Sequence, residues 1–266
     1  GVLTKGPVAA AVPVLAFLAY LAFHRELHRL REMMIPGGTV IALAIVAPWY
    51  AMLYAEHGWT YITSFFIGEN VGRFTETVGV QSRGPFFYIP VMFHDALPWS
   101  LCLPAVVVAW VRARRRGDVH QRLRTLLLLW IAVTVALFSL SQTKQDLYIF
   151  PIVAAIAALG ADWIGRMIDR GPAMPDGEVR DERRWLAGTL FVLAGVFVAA
   201  GAFVLYVFGD AQTVYRLDGA RLAGWLVAGG GAAIAVMAWR RLHAAAVVAT
   251  LTVLVLFNWL LAVRIL

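Results

Sequence analysis

The sequence holds one cysteine, Cys102, in 266 residues. A single thiol excludes an internal disulfide and any metal centre built on paired cysteines. Charge is scarce as well: Asp, Glu, Lys and Arg make up 15% of the chain against 61% hydrophobic residues. A water-soluble domain carries about a quarter charged residues, so that class is excluded too. The chain opens on Gly1 without the charged n-region or cleavage site of a signal peptide. It therefore reads as an internal or C-terminal piece of something longer, and residues needed for chemistry are expected upstream of it.

Long apolar runs fill the sequence, and the mean hydropathy is +0.74. Runs able to cross roughly 30 Å of hydrocarbon fall at about 7–23, 37–55, 86–110, 125–140, 147–168, 185–208, 221–239 and 244–264. The expected fold class is an all-α polytopic membrane protein with about eight transmembrane helices. The run Gly229-Gly230-Gly231, among alanines, reads as a place where helices pack closely.

Orientation follows from the basic residues. The connections His24–Arg31, Arg112–Arg124, Arg166–Arg184 and Arg240-Arg241 hold most of the Lys and Arg and alternate with connections that hold few. By the positive-inside rule those four are cytoplasmic. The formal net charge of +7 thus belongs to short juxtamembrane turns that set topology and meet lipid headgroups. Nucleic acid is not expected as a partner. The opposite face receives the chain start, the long stretch 56–85, the turns 141–146 and 209–220, and the chain end.

Two stretches on that opposite face carry polar residues that a bare anchor does not need: Glu69-Asn70-Val71-Gly72-Arg73-Phe74 and Ser141-Gln142-Thr143-Lys144-Gln145-Asp146-Leu147-Tyr148. In segment 56–85, Trp59, Tyr61, Phe65, Phe66 and Phe74 are spaced like the apolar face of a helix lying flat at the interface, with Thr60 or Ser64 available to cap it. Glu69 and Arg73 share a face of such a helix, with Asn70 beside them, either as an ordinary exposed ion pair or as part of a site. Gly84-Pro85 breaks the helix, and Tyr88 re-enters the bilayer at headgroup level. Asp95 is the acidic residue deepest in an apolar run, so it is either a site residue or a partner for His94 or a neighbouring span. Lys144, flanked by amides and hydroxyls, either snorkels to the surface or holds a phosphate there, and Lys5 faces the same choice.

In one order and spacing the chain carries Thr4-Lys5-Gly6-Pro7, Pro48-Trp49-Tyr50, Phe65-Phe66 with Glu69-Asn70 and Arg73-Phe74, Gly84-Pro85 with Tyr88 and Pro90, Pro98-Trp99-Ser100, and Ser141–Tyr148 before Pro151. This combination resembles the bacterial branch of the protein O-mannosyltransferase family, which includes the aminoarabinose transferases that modify lipid A. The resemblance covers about residues 1–165, the region with the donor-site motifs; 166–266 adds only generic C-terminal spans.

The resemblance implies a GT-C glycosyltransferase in the bacterial inner (plasma) membrane, with its site on the periplasmic side. Such an enzyme takes a sugar from a polyprenyl-phosphate donor and passes it to lipid A, another glycan or a protein. It also implies that Lys5, Arg73 and Lys144 surround the donor's phosphate, while Glu69, Asn70, Tyr88 and Tyr148 line the cavity. The family's catalytic Asp lies in a periplasmic loop upstream of Gly1, so this chain is expected to lack its general base. Where many relatives have histidines, this chain has Asn70 and Gln81-Ser82-Arg83, so neither a metal site nor an obligatory cofactor is expected. The alternative from another class is a transporter or flippase for a lipid or small anion, which needs polar groups near the membrane midplane.

Overall fold

The computed structural model describes residues 8–64, 67, 68, 72, 83–113, 120–168, 176–208 and 219–265. Among these all regular structure is helical. The chain forms two compact units, Gly1–Ser100 with Trp110–Leu159, and Leu101–Ala109 with Gly160–Leu266.

In the first unit, α1 (Val8–Phe23) carries Pro13 in mid-helix and buries Val12, Ala16 and Leu21. It packs on α5 (His120–Leu140). α1 ends where Arg25 enters the left-handed region at φ 58°, and the Glu26 N–H closes the turn onto the Leu21 carbonyl at 2.8 Å. A 3-10 turn, Leu27–Arg31, follows. There Glu26, with a side chain only 14% exposed, accepts from Arg29 of its own turn at 3.4 Å and from Arg122 of α5 at 2.9 Å. The connections around 24–31 and 112–124, expected on one membrane face, are therefore joined at the same end of α5.

α2 (Ile35–Thr63) has Pro at its start and is 29 residues long, with no buried residue. Such a helix, apolar on all sides, suits a lipid-facing span. It breaks at Gly58, whose φ 72°, ψ −176° lies in a region essentially reserved for glycine. The span thus ends a turn later than its expected limit at 55, and the segment from Trp59 onward takes a new direction. The expected caps behave differently at one position: the Ser64 hydroxyl bonds back to the Tyr61 carbonyl at 3.0 Å, so it closes the end of a turn rather than starting a helix. Phe65, Phe66 and Phe74 lie outside the described residues.

The apolar run 86–110 forms two helical pieces rather than one. α3 (Tyr88–Asp95) and the helical stretch Trp99–Ala113, whose regular part is α4 (Leu103–Ala113), meet at a bend of 111°. Pro98 explains the break: it has no N–H to give to a continuing helix. The Ser100 hydroxyl, fully buried, donates to the Phe93 carbonyl at 2.6 Å across the bend.

Among the described residues six helices are long and apolar enough to cross a membrane, the bent pair makes a seventh when taken as one broken span, and α1 is a shorter apolar helix of 16 residues. These account for the eight apolar runs, and the chain is a multi-span all-α membrane protein. α6 (Pro151–Ile168) follows a 3-10 turn at Asp146–Ile149. In the second unit, α7 (Asp176–Phe208), α8 (Ala220–Trp239) and α9 (His243–Leu260) pack together. Glycine sets the approach of α8 to α7: a Cβ on Gly201 would stand 2.4 Å from the Ala228 nitrogen, and one on Gly231 2.8 Å from the Ala194 carbonyl. Gly230 faces Val253 of α9, while Gly229 meets open space. Lipid tails are as apolar as leucine, so close backbone contact of this kind supplies much of the association energy of such helices.

Candidate functional site

The polar turn 141–148 sits at the end of α5 opposite Glu26 and Arg122. The 21 residues of α5 put these two polar layers roughly 30 Å apart at 1.5 Å per residue, the thickness of a bilayer core. Stretch 83–88 joins turn 141–148 at its end of α5, as the alternation of basic connections led one to expect.

Two contacts make that junction. The Tyr88 hydroxyl donates to the Gln145 carbonyl and accepts from the Gln145 N–H, both at 3.2 Å. The tyrosine is fully buried, so its phenol needs a partner there. The turn Gly84–Phe87, closed by a Phe87 N–H bond to the Gly84 carbonyl at 3.1 Å, delivers Tyr88 to the start of α3. Beside it, Arg83 pairs with Asp146 at 3.0 Å and lies 4.4 Å above the Phe87 ring. Both partners of that pair are exposed, so it contributes little to stability and mainly fixes position.

The turn is built around a buried cation. Lys144 is 7% exposed, between buried Ser141 and Thr143. Its ammonium donates to the Ser141 carbonyl, and the Ser141 hydroxyl donates to the Thr143 carbonyl at 3.0 Å. An ammonium has three N–H donors, and one is used by this bond, which leaves capacity for anion oxygens. Tyr148 packs against Phe138 with the rings tilted by 33° and their centroids 5.1 Å apart. Asp95 takes the first of its two expected partners, His94 Nδ1 at 2.8 Å.

Of the residues expected at a donor site, Tyr88, Lys144 and Tyr148 are thus gathered by one turn. Lys5, Glu69, Asn70 and Arg73 lie outside the described residues. Sequence reasoning missed Arg83 as a contributor. Its signal was an arginine placed directly before a Gly-Pro turn, where a side chain is held at a defined exit from the helix break.

No family model matches the chain. It is 32% identical over 225 residues to the "Undecaprenyl phosphate-alpha-4-amino-4-deoxy-L-arabinose arabinosyl transferase" of Pectobacterium carotovorum, covering 80% of this chain and 38% of that protein. It is 31% identical over 238 residues to a second such transferase, from Pseudomonas fluorescens, covering 86% of this chain and 37% of the relative. These matches run well past residue 165, where the resemblance read from motifs stopped. Among solved structures, ArnT from Cupriavidus metallidurans bound to undecaprenyl phosphate superposes with a TM-score of 0.69 at 22% identity, over 96% of this chain and 44% of that one. The chain spans rather more than a third of the length of the curated relatives it matches. Sequence and fold agree in making it a homologue of the undecaprenyl-phosphate aminoarabinose transferases, with the multi-span helical fold of these GT-C glycosyltransferases.

Proposed function

We propose that the complete protein transfers a sugar from a polyprenyl-phosphate donor to an acceptor on the periplasmic side of the bacterial inner membrane. The acceptor is lipid A or a comparable glycan or protein. The observation that carries this reading is identity above 30% to named undecaprenyl-phosphate-sugar transferases over four-fifths or more of the chain.

In the reaction an acceptor hydroxyl attacks the anomeric carbon, the bond from that carbon to the phosphate oxygen breaks, and polyprenyl phosphate leaves with the added negative charge. A base must take the hydroxyl's proton, and cations must meet the departing phosphate. Lys144, buried and with unused donors, suits the second task, together with Lys5 and Arg73. By the family resemblance Glu69, Asn70, Tyr88 and Tyr148 are assigned to the sugar-binding cavity. Stabilisation by ammonium and guanidinium groups requires no obligatory metal from these residues.

A transporter would place polar groups near the midplane of its spans. In the second unit three polar side chains in the interior of α9 are spent on their own helix: Asn258 donates to the Leu254 carbonyl, Thr250 to Ala246 and Thr252 to Val248, each at 2.9 Å. The two readings separate in liposomes holding the full-length protein and a labelled polyprenyl-phosphate sugar. Label moving onto the acceptor supports the transferase, whereas donor crossing the bilayer without transfer would replace it with a flippase.

A further inference from the structure

The second unit contains a cavity of about 1040 Å³ at the joined ends of four helices, far from the turn at Lys144 in sequence. Its walls come from the end of α6 (Met167, Ile168), the part of α7 around Arg183, Arg184 and Phe191, and the α8–α9 turn at Trp239, Arg241 and His243. The span-forming part of α7 begins at Arg183 and that of α9 at His243, while α6 and α8 end at Ile168 and Trp239. The cavity therefore sits at the level where hydrocarbon gives way to headgroups.

Its chemistry has two halves. Phe191, Met167, Ile168 and Ala187 offer apolar surface, while Arg183, Arg184 and Arg241 supply three guanidinium groups, and no acidic residue among those described lines it. All three arginines are exposed. Arg183, Arg184, Arg241 and His243 all line this one cavity, so the basic groups are gathered rather than scattered. Arg241 also occupies a left-handed position, φ 61°, at the end of α8, where glycine would fit without steric cost. Finally, His243 Nε2 is buried and has no hydrogen-bond partner. A buried ring nitrogen with no partner among the described residues, beside three cations, suits an oxygen-bearing ligand.

We propose that this cavity binds an anionic membrane lipid, with the phosphate held by Arg183, Arg184, Arg241 and His243 and the acyl chains lying on the apolar wall along Phe191. The basic rim explains the phosphate, and the apolar wall explains why a lipid rather than a soluble anion is the ligand. The cavity shares no lining residue with the donor turn, and it stands on its own lining whatever sugar the protein handles.

The test uses the full-length protein in detergent, with retention of phosphatidylglycerol and of phosphatidylcholine read by native mass spectrometry. Wild type should retain phosphatidylglycerol in clear preference. R241Q should weaken that retention about fivefold and the R183Q/R184Q/R241Q triple variant roughly a hundredfold, the expected scale for one and for three basic groups at a membrane surface. R240Q, which neighbours the cavity in sequence without lining it, should match wild type. The single variant alters an exposed side chain, so it keeps the test valid even where the triple variant unfolds. Three results would overturn the proposal: unchanged retention in R241Q, equal retention of phosphatidylcholine, or arginine-dependent binding of inorganic phosphate with no phosphatidylglycerol. Sugar transfer is not needed for any of these readouts, so failure here leaves the transferase reading untouched.

Discussion

Tyr88 and the backbone of Gln145, 57 residues apart, exchange two hydrogen bonds of 3.2 Å, with the phenol both donating and accepting. One side chain thus satisfies the N–H of Gln145 and shares its C=O with the Tyr148 N–H of the 3-10 turn that follows. The bond pair fixes turn 141–148 against the start of α3, and with it the position of Lys144 one residue earlier. Arg83 and Asp146 repeat the link on the exposed side.

Tyr88→Phe removes that hydroxyl and leaves the Gln145 N–H without its partner, while the Gln145 carbonyl keeps the Tyr148 N–H at 3.1 Å. The expected cost is about 1–2 kcal/mol, the range for orphaning buried polar groups, read as a lower melting temperature in detergent. Sugar transfer should fall with it, because the turn no longer holds Lys144 in place. An unchanged melting temperature would mean that Gln145 finds other partners and that the bond pair does not anchor the turn.

Lys144→Ala should lower sugar transfer by about 10² to 10³, the usual loss when one donor to developing charge is removed. The lysine also holds the Ser141 carbonyl, so a purely structural role has to be told apart from a phosphate-binding one. Binding of polyprenyl phosphate to the full-length protein makes the distinction. Weakened binding at an unchanged melting temperature supports phosphate contact, whereas a lowered melting temperature with intact binding assigns the lysine to the turn alone.

The spans were legible in the sequence because apolar length is additive: each run from 7–23 to 244–264 reappears as a helix or a bent pair. The glycine contact was legible at Gly230 and Gly231, since a small-residue run in an apolar helix has few other uses. Gly201 and Gly224, which press against each other's helices just as closely, stand alone in sequence and gave no such signal. The break at Pro98 was concealed by the continuous apolar run 86–110, and a proline in any case says nothing of an angle such as 111°. The anchoring of Tyr88 was hidden for a different reason. A tyrosine that bonds to backbone leaves no trace in the identity of residue 145. The family likeness beyond residue 165 was hidden too, because spans of Leu, Ala and Val look alike when no polar motif punctuates them.

Gly201→Val should destabilise the second unit. Its Cβ would fall 2.4 Å from backbone nitrogen and 2.6 Å from the Gly224 carbonyl, and backbone cannot rotate away, so α7 and α8 must separate. Overpacking costs about 1–3 kcal/mol, and thermal unfolding in detergent reads it. Gly229→Ala, which meets nothing within 4 Å, should be neutral or slightly stabilising, since alanine favours the helix. Equal effects of the two substitutions would refute the close approach.

The last prediction concerns which way the two polar layers face. Glu26 binds Arg122 at one end of α5, and Tyr88 binds Gln145 at the other. The first layer carries the arginine-rich connections, and basic residues are retained on the cytoplasmic side during insertion. Gln142→Cys should therefore react with a membrane-impermeant maleimide in intact cells, while Arg29→Cys should react only after permeabilisation. Both positions are exposed, so accessibility within the protein does not bias the comparison. Cys102, 3% exposed, should stay silent in both and need not be removed. Labelling of Arg29→Cys alone in intact cells would invert the orientation, and a donor site at Lys144 would then face the cytoplasm. Labelling of both would show that the two layers are not separated by the bilayer.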